Sequence, residues 1–107
     1  MRRGDVVVVA LPGDFGKPRP AVVVQSDLLG QTSSIGIIPI TSTIMDPALL
    51  RLTIEPTPAN GLREVSQVMT DKVTTMSRSK VRSIIGKLDT GHMREISVRL
   101  TAFFDLT

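Results

Sequence analysis

Arg19 lies in the run Lys17-Pro18-Arg19-Pro20-Ala21-Val22-Val23-Val24-Gln25, with a proline on each side. Pro20 pushes Arg19 towards the extended region and Pro18 fixes its own φ, so the backbone carrying this guanidinium is stiff on both sides. Neither proline can donate to a sheet ladder, which puts the pair at a strand start or on an edge. An ordinary solvated arginine gains nothing from such bracing. One that must meet a phosphate does, because the guanidinium is a planar, permanently charged fork suited to phosphate oxygens.

The rest of the chain narrows the chemistry by what it lacks. A single histidine, His92, excludes a two-imidazole acid/base pair, and the absence of cysteine removes the usual zinc sites. There is no Walker loop and no G-x-G-x-x-G signature. Arginines, carboxylates and hydroxyls remain. They suit RNA cleavage, because RNA carries its own nucleophile in the 2′-hydroxyl. An enzyme then has only to orient that hydroxyl, accept its proton and stabilise charge on the phosphate. Arg19 supplies the charge and a hydrogen bond to the leaving oxygen, a carboxylate takes the proton, and a threonine hydroxyl holds a non-bridging oxygen. That route needs no metal and no cofactor.

Composition bounds the partners. The 107 residues are expected to form one domain, 1–107, and with 3% aromatic residues the core must be built from Val, Ile and Leu. So small a chain buries a modest share of its surface, which makes a dimer with a shared apolar face unsurprising. The net charge of +3 is compatible with RNA or with an acidic protein, and proves neither. Phe15, Phe103 and Phe104 are the whole aromatic supply, so RNA contacts must rest on phosphates and hydrogen bonds, with Phe15 as the one stacking ring. No cysteine, no signal peptide and no apolar run of spanning length point to the cytoplasm and to no membrane.

The elements that must position these groups read mostly as strands. Residues 6–10 form an apolar, β-branched run of the kind buried on both faces. Residues 11–17 hold Pro12, Gly13 and Gly16 and read as a loop, residues 21–25 as a second strand, and 28–34 as a turn. Residues 35–41 make a third strand, where Pro39 argues for an edge or a bulge. One helical turn is expected at 46–49. Residues 50–55 alternate, with Leu50, Leu52 and Ile54 inward, and Asn60-Gly61 marks a turn. Strands follow at 67–70 and 84–88, with a helical turn at 77–81. From His92 the spacing of Met93, Ile96, Leu100 and Phe103 makes an amphipathic helix, capped by Asp89 or Thr90. The expected architecture is a β-rich α+β fold: a small, bent antiparallel sheet or SH3-like barrel closed by a C-terminal α-helix.

Arg3-Gly4-Asp5, the Gly16 to Asp27 block with its Arg19-Pro20, and Ile38-Pro39-Ile40-Thr41-Ser42-Thr43 together resemble the MazF/PemK toxin family. Met69-Thr70-Asp71-Lys72-Val73-Thr74-Thr75 and Ile85-Gly86-Lys87-Leu88 extend the resemblance over nearly the whole chain. It implies a homodimeric, metal-independent, sequence-selective endoribonuclease acting on single-stranded mRNA, inhibited by an acidic antitoxin. Its products would be a 2′,3′-cyclic phosphate and a 5′-hydroxyl. Arg19 falls on the family's near-invariant arginine and Thr41 on a hydroxyl residue that contacts the scissile phosphate. Asp14 stands where the family usually has glutamate, one methylene shorter, and Asp71 falls on an aspartate that acts as acid/base in some members. Either is open as the base. Lys17, Phe15, Ser42, Lys72 and Gln25 are expected to line the RNA path, with Lys72 in place of a usual glutamine.

Bland readings stand beside these. Thr41 is equally a strand-end hydroxyl bonding the backbone, Asp14 a turn former, and Asp71 a partner for a nearby cation. Two other functions compete with the nuclease: a gyrase poison similar to CcdB, and a noncatalytic SH3-like RNA or protein adaptor. The first uses a C-terminal Trp-Gly-Ile, whereas this chain has no tryptophan and ends Phe104-Asp105-Leu106-Thr107. The second has no reason to brace Arg19.

Overall fold

Three β-branched runs pair first. A computed structural model describes residues 1–13, 16–30 and 32–106, and in it β1 (Asp5–Val9), β2 (Arg19–Val23) and β3 (Ser34–Thr41) form an antiparallel centre. β4 (Leu52–Ile54), β5 (Ser66–Val68), β6 (Thr74–Ser77) and β7 (Val81–Lys87) complete a seven-stranded sheet in the order β4-β5-β3-β2-β1-β7, with β6 also on β3. The helix α1 (Thr90–Phe104) ends the chain. The sheet is bent but not closed, since β4 and β7 each end the order. A bent sheet is therefore the form realised, rather than the barrel.

Alternation sorts the core onto two faces. Val6, Val22, Ile38, Ile40, Leu52, Ile54, Val68 and Leu88 are buried with Ile96 of α1, and Met93 and Leu100 pack against them. Val7, Val9, Ala21, Val23, Ile35 and Ile37 fill the opposite face, met by Leu11, Met76 and Val81. β1 is thus apolar on both sides, as its valine run requires. Asp89 caps α1 by accepting a hydrogen bond from the His92 amide (2.7 Å). Phe103, expected in the buried stripe, is instead 42% exposed and meets Phe104 edge to face at 5.0 Å. It lies in the last turn, past the end of the sheet contact that Leu100 makes.

Pro39 is not on an edge. It pairs with Ala21 of β2 on one side of β3, which is an interior strand. On its other side β3 pairs with β6 from Ser34 to Ile37 and with β5 from Ile40 to Thr41. Pro39 occupies the gap where one neighbour gives way to the next, so its missing N–H leaves no ladder bond unmade there. Its carbonyl still accepts from the Met69 amide (2.9 Å). The sequence pattern concealed β6, whose residues are polar and exposed except for the half-buried Met76. The helical turns fall at Asp27–Leu29, Thr70–Lys72 and Arg78–Lys80, and residues 46–49 hold no helix.

Asn60-Gly61 is a turn with a larger task. Asn60 is buried; its side-chain oxygen accepts from the Thr57 and Leu62 amides, and its amide group donates to the Glu55 carbonyl. Gly61 has φ +71°, a left-handed conformation that suits glycine, and lies against the Ile85 backbone. Gly86 answers from β7, and the Lys87 amide donates to the Ala59 carbonyl (2.9 Å). Two glycines let loop and strand cross in backbone contact. A Cβ on Gly86 would stand 2.6 Å from the Ala59 carbonyl oxygen and closer still to the Asn60 backbone. Gly86→Ala should therefore lower stability by about 1–3 kcal/mol, the usual scale of overpacking, read as a reduced urea midpoint against the wild-type chain. An unchanged midpoint would show that this crossing yields without strain.

Candidate active site

The β2–β3 ladder stops at Ala21↔Pro39. Beyond it Arg19 and Pro20 pair with β1 alone, at Val9 and Val8, while Ile40 and Thr41 turn to β5. Two strands that no longer pair leave space between their ends. A cleft of about 800 Å³ opens there, lined by Lys17, Arg19, Thr41, Ser42, Gly61, Arg63 and Glu64 among others. Arg19 is half-buried, with its backbone held by the β1 ladder and the two prolines.

Thr41 ends β3 with its Oγ accepting from the Thr43 amide (3.1 Å). That bond orients the hydroxyl and leaves its proton as the group to donate. The backbone-bonding reading of this side chain is realised, and it leaves room for the chemical one. Thr43 and Ser42 continue the lining. Their loop is pinned by Gln67, a fully buried side chain whose carbonyl accepts from the Met45 amide (3.0 Å) and whose NH₂ donates to the Met45 carbonyl (3.1 Å) and the Thr53 hydroxyl (3.1 Å). Gln67 faces Thr41 across the β3–β5 ladder, so the strand end and the loop after it are set by one neighbour.

The cleft brings together Arg19, Thr41, Lys17 and Ser42 of the residues expected from sequence. Asp14 and Phe15 lie outside the described residues, although Gly13 and Lys17 on either side line the cleft. Gln25, Asp71 and Lys72 are not among the lining residues. Gln25 is engaged elsewhere: its NH₂ donates to the Leu29 carbonyl and the Thr32 hydroxyl, and its oxygen accepts from the Gly36 amide. It closes the loop between β2 and β3. Asp71 and Lys72 sit in the turn Thr70–Lys72, which α1 packs against. Sequence matching placed them by type, but the chain turns away from the cleft at Met69. Gly61, Arg63, Glu64 and Ser66 were missed as lining residues. No local signal separates Arg63-Glu64 from a solvated ion pair; the crossing of Gly61 over β7 puts them at the cleft.

Asp71 is clasped by Arg51, whose Nε and Nη2 donate to its two oxygens at 3.0 and 3.1 Å. Those hydrogen bonds hold the Asp71 carboxyl below the usual carboxylate range, against a smaller opposing effect of burial. A lowered pKa makes a poorer proton acceptor and a better structural tie, here between the turn and the start of β4. Because the folded pKa is lowered, the pair's stabilisation is present above the unfolded value of about 4 and is lost as pH falls through the folded one. Asp71→Asn should thus lower the urea midpoint at pH 7, by less than about 1 kcal/mol for so exposed a pair. The difference from wild type should shrink in titrations at pH 3 and below; a gap that stays constant would remove the ion pair as its cause.

Known proteins resemble this chain over most of its length. Residues 2–104 match the family described as PemK-like, MazF-like toxin of type II toxin–antitoxin system. The chain belongs to that family. A probable endoribonuclease MazF from Mycolicibacterium smegmatis is 47% identical over 89 residues, which cover 82% of each chain. The fold is that of the Mycobacterium tuberculosis toxin MazF-mt6, with a TM-score of 0.82 at 20% identity, covering 96% of this chain and 98% of that one. It is also that of a mycobacterial endoribonuclease solved in complex with its cognate antitoxin, with a TM-score of 0.79 at 18% identity, covering 100% and 95%.

Proposed function

We propose that this chain is a sequence-selective endoribonuclease, the toxin of a toxin–antitoxin pair, which cuts single-stranded mRNA in the cytoplasm without a metal ion. The observation that carries the reading is that Arg19 and Thr41 line one cleft, in a chain of this family. The 2′-oxygen attacks the adjacent phosphorus as its proton passes to a carboxylate, and the bond from phosphorus to the 5′-oxygen breaks. The departing 5′-oxygen takes up a proton from solvent, and the carboxylic acid later returns its own to solvent. The products are thus a 2′,3′-cyclic phosphate and a 5′-hydroxyl, with no net water consumed. Arg19 neutralises charge gathering on the phosphoryl oxygens and hydrogen-bonds the departing oxygen, and Thr41 donates to a non-bridging oxygen. Lys17 and Ser42, on the same cleft, hold the flanking backbone.

Asp14 is the proton acceptor in this scheme. Gly13 and Lys17 bring the chain to the cleft on both sides of it, whereas Asp71 is held by Arg51 away from the lining. The basic cleft also suits the acidic segment of an antitoxin, which would compete with RNA for Arg19. A homodimer is part of the proposal, since Ile84, Ile85, Val98, Phe104 and Leu106 leave much apolar surface exposed for so small a chain.

Incubation of the purified chain with a long RNA in EDTA, followed by mapping of the cut ends, tests the scheme. Cyclic phosphate and 5′-hydroxyl ends support it; no cleavage defeats it. Arg19→Ala should slow cleavage by a factor of roughly 100 or more, the scale of losing one preorganised charge on the transition state. Arg19→Lys should also fail, because an ammonium does not reproduce the planar fork. Asp14→Asn should be inactive and Asp14→Glu should retain much activity; a dead Asp71→Asn beside an active Asp14→Asn would move the acceptor to Asp71. Light scattering at micromolar concentration should give the mass of two chains, and a monomer would end the dimer proposal.

A further inference from the structure

Glu64 is the one carboxylate among the described residues that line the cleft, and it shares that lining with the cations Lys17, Arg19 and Arg63. Five other described carboxylates have evident tasks. Asp5 accepts from the Arg2 amide, Asp27 from Arg2 and Arg3, and Asp71 from Arg51; Asp89 caps α1, and Glu95 pairs with Arg99. Glu64 has an exposed side chain on a fixed backbone. The Ser66 hydroxyl donates to its carbonyl (2.8 Å), Ser66 itself is buried in β5, and three residues upstream Gly61 lies against Ile85. The carboxylate is therefore presented to the cleft from a rigid mount.

A negative group in a phosphate-binding cleft weakens the binding of the RNA backbone, so it must meet something other than phosphate. An ionised carboxylate only accepts hydrogen bonds, through two oxygens side by side. Single-stranded RNA exposes the Watson–Crick edges of its bases, which is where sequence is read in such ligands. Guanine presents two adjacent donors there, N1–H and the N2 amino group, matching both carboxylate oxygens at once. Uracil sets its one donor between two carbonyl oxygens that repel a carboxylate, and cytosine and adenine each offer a single amino group. The neighbouring Arg63 lines the same cleft, and its guanidinium suits the phosphate beside the base being read.

On the endoribonuclease reading above, we infer that Glu64 is a specificity-determining residue that selects a guanine in the target RNA by accepting hydrogen bonds from N1–H and N2–H. The contact discriminates between bases and leaves the proton transfer at the 2′-oxygen to another group.

Cleavage of a randomised RNA pool, with the ends sequenced, tests it with the full chain, Glu64→Gln and Glu64→Ala. The wild-type chain should show guanine enriched at one fixed position near the cut, and both variants should lose that preference. A defined substrate with inosine in place of that guanosine, lacking the N2 amino group, should be cut about ten-fold less efficiently by wild type, the scale of one well-aligned base contact. Glu64→Ala should cut the two substrates equally. Base profiles that are identical in wild type and Glu64→Ala overturn the inference, as does a change confined to a base other than guanine. A wild-type chain that cuts no RNA fails the endoribonuclease reading instead, so the two failures are distinct.

Discussion

The site depends on a ladder that ends early. β2 and β3 pair from Val23↔Ile37 to Ala21↔Pro39, with Pro20 next along β2 and Pro39 last in the ladder. Pro20 has no N–H to offer a neighbouring strand, so its place at this end limits how far the pairing can run. β3 then turns to β5 and β2 continues on β1 alone. The opening between them holds Arg19 on one wall and Thr41 on the other. A continuous ladder here would bring the two strands together and close the cleft.

Around that opening, rigidity comes from polar groups buried for the purpose. Gln67 fixes the loop after Thr41 through both ends of its amide, and Asn60 fixes the loop that carries Arg63 and Glu64. Burying an amide costs free energy unless its hydrogen bonds are made, and these two side chains use both the oxygen and the nitrogen. A cleft built on satisfied buried amides changes shape little as a ligand arrives, which suits a reaction whose catalysis rests on placement of charge. The far end of the molecule has a different character. There Arg3 donates to the Val24 carbonyl and to Ser97 (2.7 Å), and so ties the N-terminus to α1.

Local signals were enough for much of this. The valine run of β1, the alternation of 52–54, the stripe of Met93, Ile96 and Leu100, and the cap at Asp89 are patterns that neighbouring residues impose on each other. The double proline around Arg19 is equally local, and so is the resemblance that joined it to Thr41. β6 escaped because three exposed, polar residues around a single half-buried methionine have no apolar period to reveal.

The sequence by itself determined which groups are candidates for chemistry and that they ride on stiff strands, because backbone stiffness and side-chain charge belong to single residues. Tertiary structure alone decided which carboxylate and which cations share the cleft. Asp71 resembles a site residue in its neighbours along the chain, yet Arg51, twenty positions earlier, holds it to the start of β4. Arg63 and Glu64 resemble an ordinary surface pair, yet the backbone contact of Gly61 with Ile85 sets them at the cleft. Both outcomes turn on contacts between residues about twenty positions apart. Such contacts depend on sheet order and on the register of the ladders, which no short window of sequence carries.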